Sequence, residues 1–168
     1  MSGKILVTLL IALMSAPLTL PAAQPQAVGD TAQQRNLALV RSAFDRWLAN
    51  DGFFDQLPAP DARWIVHGSG ALAKTYEGRE AYIREFVRPF AARLTAPVKP
   101  AIRRLVAQDD VVVALWDGEA TARDGVPYRN HYVWVFRFEN GRAAELEIFL
   151  DLQTYEGVIT RVAAPAAR

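Results

Sequence analysis

The chain has 168 residues, 51% of them hydrophobic and 22% charged, which is enough for one domain with a packed core. Its 19 Lys+Arg and 18 Asp+Glu leave a net charge of +1, so no charge excess directs it toward nucleic acid or an anionic membrane. It contains no cysteine and only two histidines, His67 and His131. Disulfides and thiolate nucleophiles are therefore excluded, and we expect neither a metal site nor a cofactor.

The N-terminal segment has the pattern of a secretory signal peptide. Lys4 precedes an apolar run over residues 5–14, and small residues and prolines follow as far as Ala23. That run is too short to cross a bilayer core of about 30 Å. An uncleaved membrane anchor is the alternative, since residues 16–20 could lengthen the run. We expect residues 1–23 to be removed and the mature protein to be periplasmic or secreted.

Residues 24–34 form a polar linker and the cap of a first helix. Thr31 and Gln34 have the spacing of a capping box. Apolar residues at helical spacing then predict a helix that ends near Asn50. Residues 53–57 favour one further short helical turn.

The rest of the chain predicts a short strand over 63–67, a helix from Arg79 that Pro89 interrupts, and then a change to β pattern. The later strands are predicted at 98–107, 111–122, 127–138 and 143–151. Asp124-Gly125 and Asn140-Gly141 are typical of two-residue hairpin turns between the last three. Helices followed by an antiparallel meander make an α+β fold, with a curved, cone-shaped antiparallel sheet wrapped around two to three N-terminal helices. Residues 161–168 are expected to be a flexible tail.

Two-residue turns fix which side chains share a sheet face, since directly opposed residues of antiparallel strands point the same way. The first face would hold Val111, Val113, Leu115, Asp117, Glu119, Tyr128, Asn130, Tyr132, Trp134, Phe136, Glu147, Phe149 and Asp151. The second would hold His131, Val133, Val135, Leu146, Ile148 and Leu150. The first face, aromatic with a few polar groups, indicates a ligand pocket, and the aliphatic second face indicates a homodimer contact. A one-residue slip in either hairpin would exchange the faces.

Asp151 is the leading candidate for a catalytic base. A carboxylate against aromatic walls would have a raised pKa and could accept a proton near neutral pH. The alternative is an acid that ends its strand facing water. His67, before a Gly-Ser-Gly turn, is either a proton carrier at the pocket mouth or a structural surface residue.

The residues also resemble a known family. Tyr128-Arg-Asn130-His-Tyr132, an apolar strand, a Gly turn and then Phe149-Leu-Asp151 resemble the SnoaL-like branch of the nuclear transport factor 2-like superfamily. Trp64-Ile-Val-His-Gly68 and Gly78-Arg79-Glu80-Ala81 resemble its upstream motifs. The resemblance covers residues 35–160 and implies the conical fold. It leaves the reaction open, because the superfamily includes isomerases, cyclases, dehydratases, epoxide hydrolases and non-catalytic binders.

Site roles implied by the resemblance carry over only in part. Asp151 matches the aspartate that serves as general base in SnoaL-like polyketide cyclases. The ketosteroid isomerase base would fall near His67, and the oxyanion-binding acid of those enzymes would fall at Trp134, where it is missing. Epoxide hydrolases of the superfamily place an arginine between two carboxylates. Here Asp117-Gly118-Glu119 has none, unless Arg103 or Arg104 on the neighbouring strand supplies it.

The sequence therefore predicts an exported protein that binds a small apolar molecule in a conical pocket. It leaves open whether the protein is an enzyme; if it is, the resemblance implies a cofactor-independent isomerase or lyase with Asp151 or His67 as the base. The expected binding residues are Asn130, Tyr132, Tyr128, Trp134, Glu119, Asp117, Phe149 and Trp64, although Trp64 also fits the core. A non-catalytic binding or dimerisation module is the first alternative, and epoxide hydrolysis is the second.

Overall fold

A computed structural model describes residues 31–165, so the predicted signal peptide and most of the predicted linker lie outside the described residues. The helices are α1 (Ala32–Leu48), α2 (Phe53–Gln56), α3 (Arg79–Tyr82), a π-helical turn (Ile83–Val87), α4 (Arg88–Ala91) and α5 (Leu152–Arg161). The strands are β1 (Pro58–Val66), β2 (Thr75–Glu77), β3 (Lys99–Gln108), β4 (Val111–Thr121), β5 (Pro127–Glu139) and β6 (Arg142–Leu150). Among the residues so described, no helix is both long and apolar enough to cross a membrane.

The six strands form one curved, open sheet in the order β2-β1-β6-β5-β4-β3. All neighbouring strands are antiparallel except β1 and β6, which run parallel. The helices and the aromatic core lie on its concave side. The predicted α+β class and curved sheet are confirmed, with one parallel pair that the prediction of an antiparallel sheet did not include.

Helix α1 begins at the predicted capping box. The backbone N–H of Gln34 donates to Thr31 Oγ1 at 3.2 Å, and the backbone N–H of Thr31 donates to the Gln34 side-chain oxygen Oε1 at 2.8 Å. These two bonds satisfy N–H groups that have no partner within the helix. The buried face of α1, which includes Val40 and Phe44, then packs toward the sheet.

Helices α3 and α4 form one continuous helical stretch through the π-helical turn. The Arg88 N–H bonds to the Ile83 carbonyl five residues back, and Pro89, which has no N–H to donate, follows immediately. The wide turn thus accommodates the proline that the sequence identified as an interruption. Tyr82, Phe86 and Phe90 all remain on the buried side of this stretch.

The β4–β5 hairpin has a longer loop than predicted. Ala122 pairs with Val126 across the loop Arg123-Asp124-Gly125, and Gly125 has a positive φ of 84°. This is the three-residue loop that ends in a left-handed glycine, not the two-residue turn. Tyr128 therefore pairs with Ala120. Thr121, which was predicted to pair with Tyr128, pairs with Pro127 instead.

The β5–β6 hairpin begins in the predicted register, with Glu139 opposite Arg142. A bulge at Ala144 then shifts the pairing, because Phe138 pairs with Ala143 while Arg137 pairs with Glu145. Beyond the bulge, each side chain of β6 therefore points to the sheet face opposite to the one predicted. The predicted faces are therefore right for β5 and wrong for β4 and β6.

The correct inner face carries Val112, Ala114, Trp116, Gly118, Tyr128, Asn130, Tyr132, Trp134, Phe136, Leu146 and Ile148. The outer face carries Val111, Val113, Leu115, Asp117, Glu119, His131, Val133, Val135, Glu147 and Phe149. Two elements were missed by the sequence analysis, β2 and α5, and β1 begins five residues before the predicted strand. Helix α5 matters most, because it packs against α4 and β5 and brings Tyr155 into the core.

Candidate ligand cavity

A cavity of about 180 Å³ lies between the concave sheet face and the helices. It is lined by Trp47, Phe54, Tyr82, Phe86, Val87, Phe90, Ala91, Leu94, Pro97, Val98, Trp116, Tyr132, Trp134, Ile148 and Tyr155. The lining is apolar and mostly aromatic. An engineered cavity of about 150 Å³ is enough to bind benzene, so this one has room for a molecule of one or two rings.

The mouth of the cavity lies between the helical stretch and the segment that leads into β3. Ala91 and Pro97 are exposed and Val87 and Val98 are half-buried, whereas the lining residues of the sheet are buried. Trp47, at the end of α1, is also half-buried. A ligand would therefore enter past α4 and meet the sheet at the far wall.

The far wall is a tightly packed group of rings. The ring of Trp116 stacks on that of Tyr132, with centroids 3.8 Å apart and planes 4° apart, and meets Trp134 at 89°. Gly118 permits this arrangement, because a Cβ there would lie 2.8 Å from Tyr132 Cε2 and 3.0 Å from Val98 Cγ1. The wall is consequently fixed in shape before any ligand arrives.

A hydrogen-bond chain runs from the cavity wall into the sheet. The hydroxyl oxygens of Tyr132 and Tyr128 are 2.6 Å apart, and Asn130 Nδ2 donates to Tyr128 Oη at 2.9 Å. Asn130 also holds the backbone of Asp151, donating to its carbonyl at 2.9 Å and accepting from its N–H at 3.0 Å. Of the three hydrogen-bonded side chains Tyr132, Tyr128 and Asn130, only Tyr132 lines the cavity, and the other two are buried in the core.

The tyrosines of this region are neutral at ordinary pH. Burial raises the pKa of Tyr82, Tyr132 and Tyr155 well above 10.0, and it raises that of Tyr128 to about 12. These phenols can donate hydrogen bonds but do not serve as bases near neutral pH. The lining contains no carboxylate and no histidine within residues 31–165.

Asp151 does not face the cavity, and the prediction that it does is wrong. It is exposed at the start of α5, where its Oδ1 accepts from the Thr154 N–H at 3.1 Å and its Oδ2 from Thr154 Oγ1 at 2.6 Å. These bonds lower its pKa, whereas the predicted base required a raised one. The shift in β6 and the unpredicted helix α5 explain the difference.

His67, Glu147 and Phe149 meet on the outer face instead of the pocket. His67 Nε2 lies 2.8 Å from Glu147 Oε2, and the His67 ring stacks on Phe149 at 4.3 Å and 5°. Phe149 is 41% exposed. The predicted places of Phe149 on the pocket wall and of His67 at its mouth are therefore wrong.

Asp117 and Glu119 also lie on the outer face, contrary to prediction. Asp117 Oδ1 is 2.7 Å from His131 Nδ1 and 3.6 Å from Arg103, and Glu119 accepts from Arg129 Nε at 3.2 Å. The one-residue longer loop between β4 and β5 put them there. The arginine-bridged carboxylates of an epoxide hydrolase are therefore not assembled in the cavity. Within residues 31–165, no group of three or more acidic or histidine side chains could hold a metal ion.

Trp134 and Tyr132 line the cavity, and Trp64 belongs to the core behind it. Trp64 is fully buried and stacks on Tyr82 with centroids 4.0 Å apart. Trp116 was not predicted to line the cavity because of the β4 register, and Tyr155 was not predicted there because α5 itself was not predicted. Apolar residues at helical spacing from Leu152 onward were the available signal for α5.

Comparisons with known proteins agree with this geometry. Residues 34–146 match the SnoaL-like domain family. An NTF2-like protein of unknown function from Burkholderia pseudomallei K96243 is 26% identical, with a TM-score of 0.62 over 77% of this chain and 98% of that chain. TerC co-crystallised with polyporic acid is 22% identical, with a TM-score of 0.62 over 75% of this chain and 98% of that chain.

A putative SnoaL-like polyketide cyclase from Jannaschia sp. CCS1 is 22% identical, with a TM-score of 0.61 over 80% of this chain and 96% of that chain. Among curated proteins, none matches the sequence. The family match covers more than half of the chain, and the solved structures share its fold. This protein therefore belongs to the SnoaL-like branch of the nuclear transport factor 2-like superfamily, a fold that suggests ligand binding or isomerase or cyclase activity.

Proposed function

We propose that this protein binds a small, neutral, aromatic molecule of one or two rings in its conical cavity. The observation that carries the proposal is the composition of the wall, which is apolar and aromatic with phenols that stay protonated. Burial of apolar surface contributes about 25 cal/mol per Å², so transfer of a hydrocarbon ring from water into this cavity is favourable. An ionised ligand does not, because charge is costly in such surroundings.

Use of the same fold for small molecules supports the proposal. TerC was co-crystallised with polyporic acid, which is an observation on that protein. In this chain the fixed rings of Trp116, Tyr132 and Trp134 offer flat surfaces against which another ring could pack. A preformed wall reduces the entropy that binding would otherwise cost.

A titration calorimetry experiment with tetralin, a two-ring hydrocarbon, tests the proposal. We expect saturable binding of one molecule per chain with a negative heat-capacity change. Ala91→Trp, at the mouth, should abolish binding by blocking entry. Ala71→Trp is the matched control, because Ala71 is exposed and outside the lining. Absence of binding, or equal binding to both variants, would contradict the proposal.

An isomerase or cyclase is the second candidate, and the Asn130–Tyr128–Tyr132 chain favours it. If Tyr128 donates to Tyr132, the Tyr132 hydrogen is left to polarise a carbonyl oxygen in the cavity, and bonds arranged head to tail strengthen one another. This candidate stands second because the described lining holds no side chain that could remove a proton near neutral pH. Screening for turnover tests it; loss of turnover in Tyr132→Phe, with Asp151→Asn unaffected, would support it.

We further propose that the protein is exported and acts as a homodimer joined through the outer sheet face. The charge and apolar pattern of residues 1–23 supports export. Mass spectrometry of the secreted protein would test it, with a mass expected that corresponds to a chain beginning near Gln24. For the dimer, the support is an aliphatic strip of half-buried residues in the middle of that face, Val113, Leu115, Val133 and Val135, bordered by Phe149. Ion pairs such as His131–Asp117 flank the strip.

A further inference from the structure

The hydroxyl of Tyr82 differs from every other tyrosine hydroxyl of the chain. Tyr76 donates to the Leu72 carbonyl at 2.9 Å, and Tyr155 donates to the Phe86 carbonyl at 2.9 Å. Tyr128 and Tyr132 pair with each other. Tyr82 Oη has no hydrogen-bond partner anywhere in residues 31–165.

The burial of Tyr82 and its place in the cavity lining indicate that its hydroxyl faces the cavity. The Tyr82 side chain is 1% exposed and lines the cavity. Three unpartnered polar atoms of the core, the indole nitrogens of Trp64, Trp116 and Trp134, are completely enclosed by protein atoms. Tyr82 Oη is not enclosed in this way. Because almost none of the Tyr82 side chain is exposed at the protein surface, we take the accessible side of its hydroxyl to face the cavity.

Two neighbouring rings stack on the ring that carries this hydroxyl. The Trp64 and Tyr82 rings have centroids 4.0 Å apart and planes 8° apart, and the Phe86 and Tyr82 rings have centroids 5.1 Å apart and planes 16° apart. The phenol therefore keeps a single orientation and loses little freedom when it forms a bond. An unsatisfied buried donor is unfavourable, so a ligand atom that accepts its hydrogen bond would bind with an added advantage.

We propose that Tyr82 is the specificity-determining donor of the cavity, and that the ligand is an aromatic ketone or quinone whose carbonyl oxygen accepts from its hydroxyl. This inference rests on the proposed binding function and narrows its ligand class. A carbonyl oxygen only accepts, so it satisfies the phenol without bringing a donor into an apolar wall. A carboxylate would also accept, but its charge is unfavourable there.

The test compares 1-tetralone with tetralin, which share the two-ring shape and differ by one carbonyl oxygen. Wild-type protein should bind the ketone about 2- to 10-fold more tightly, the advantage that one net hydrogen bond supplies. Tyr82→Phe keeps the stacked ring and removes the hydroxyl, and the ratio of the two affinities should fall to about one. Tyr76→Phe is the control, because it removes a buried hydroxyl outside the lining and should keep the wild-type ratio.

The outcomes separate this inference from the proposed function. If neither compound binds wild-type protein, the proposed function fails and this inference fails with it. If both bind equally, or if Tyr132→Phe rather than Tyr82→Phe removes the ketone's advantage, only the inference about Tyr82 is overturned. A carbonyl stretching frequency of bound 1-tetralone that is lowered in wild type and not in Tyr82→Phe would support the bond directly.

Discussion

Replacing Asp151 by Asn and by Ala distinguishes a helix cap from a catalytic base. Both changes remove the negative charge, but only Asn keeps an oxygen that can accept from the Thr154 N–H. If Asp151 acts as a helix cap, the stability of the protein should change little with Asn at this position and should fall with Ala. A general base should fail with either residue, by about 10²- to 10⁴-fold in rate.

The expected size of the effect follows from the contacts. Loss of a capping side chain costs about 0.5–2 kcal/mol, and Asp151 is exposed, so we expect about 1 kcal/mol for Asp151→Ala. With an m-value of about 2 kcal/mol/M in urea, the unfolding midpoint should fall by about 0.5 M. Asp151→Asn should stay close to wild type, and both variants should bind tetralin as wild type does.

The cap also has a pH signature with a definite sign. The bonds from Thr154 lower the folded-state pKa of Asp151 below its ordinary value of 3.8. Its contribution to stability is therefore complete above pH 3.8 and is lost as pH falls through the lowered folded-state pKa. The stability difference between wild type and Asp151→Ala should narrow in that range. An unchanged midpoint for Asp151→Ala, or lost binding in a stable Asp151→Asn, would refute the reasoning.

Three further predictions concern the wall, the tyrosines and the outer face. Gly118→Ala should push the Tyr132 ring aside, destabilise the protein by about 1–3 kcal/mol in urea unfolding and weaken tetralin binding; unchanged values would show that the wall adapts. Because the folded-state pKa of Tyr76 and Tyr128 is raised from 10.0 to about 12, stability should be complete below pH 10 and fall as pH rises through 12. Tyrosinate absorbance should then appear together with unfolding, and its appearance near pH 10 in folded protein would argue against buried phenols. Val133→Glu, in the middle of the outer face, should give a monomer in sedimentation experiments and leave tetralin binding intact, whereas an unchanged mass would exclude that interface.

Local signals in the sequence predicted the elements well where one short motif decides the structure. The Thr31–Gln34 capping box fixed the start of α1, and Asn140-Gly141 formed the expected turn, with positive φ at both residues. The alternation in β5 correctly placed Tyr132 and Trp134 inside. These features depend on neighbours within a few residues, so the sequence carries them directly.

The faces of β4 and β6 depended on single-residue choices that the sequence does not reveal. Asp124-Gly125 is compatible with loops of two or three residues, and the longer one moved Asp117 and Glu119 outside. The bulge at Ala144 did the same to Glu147 and Phe149. Because side chains alternate along a strand, each one-residue difference inverted an entire face.

The cavity's distinctive group, Tyr82, required tertiary structure to be identified. Its four-residue spacing to Phe86 is visible in the sequence, but the sequence does not show which phenols find a hydrogen-bond partner. Tyr76 and Tyr155 donate to the carbonyls of Leu72 and Phe86, respectively, whereas Tyr82 does not pair. Which phenol remains free is therefore a property of the packed core as a whole.

A crystal structure of the protein with bound 1-tetralone tests the central claim most directly. We predict density for both rings inside the cavity, packed against Trp134 and Phe86, with the ketone oxygen within about 3 Å of Tyr82 Oη. Density on the outer sheet face beside Phe149, or an empty cavity in crystals grown at saturating ligand, would contradict the claim that this cavity is the binding site.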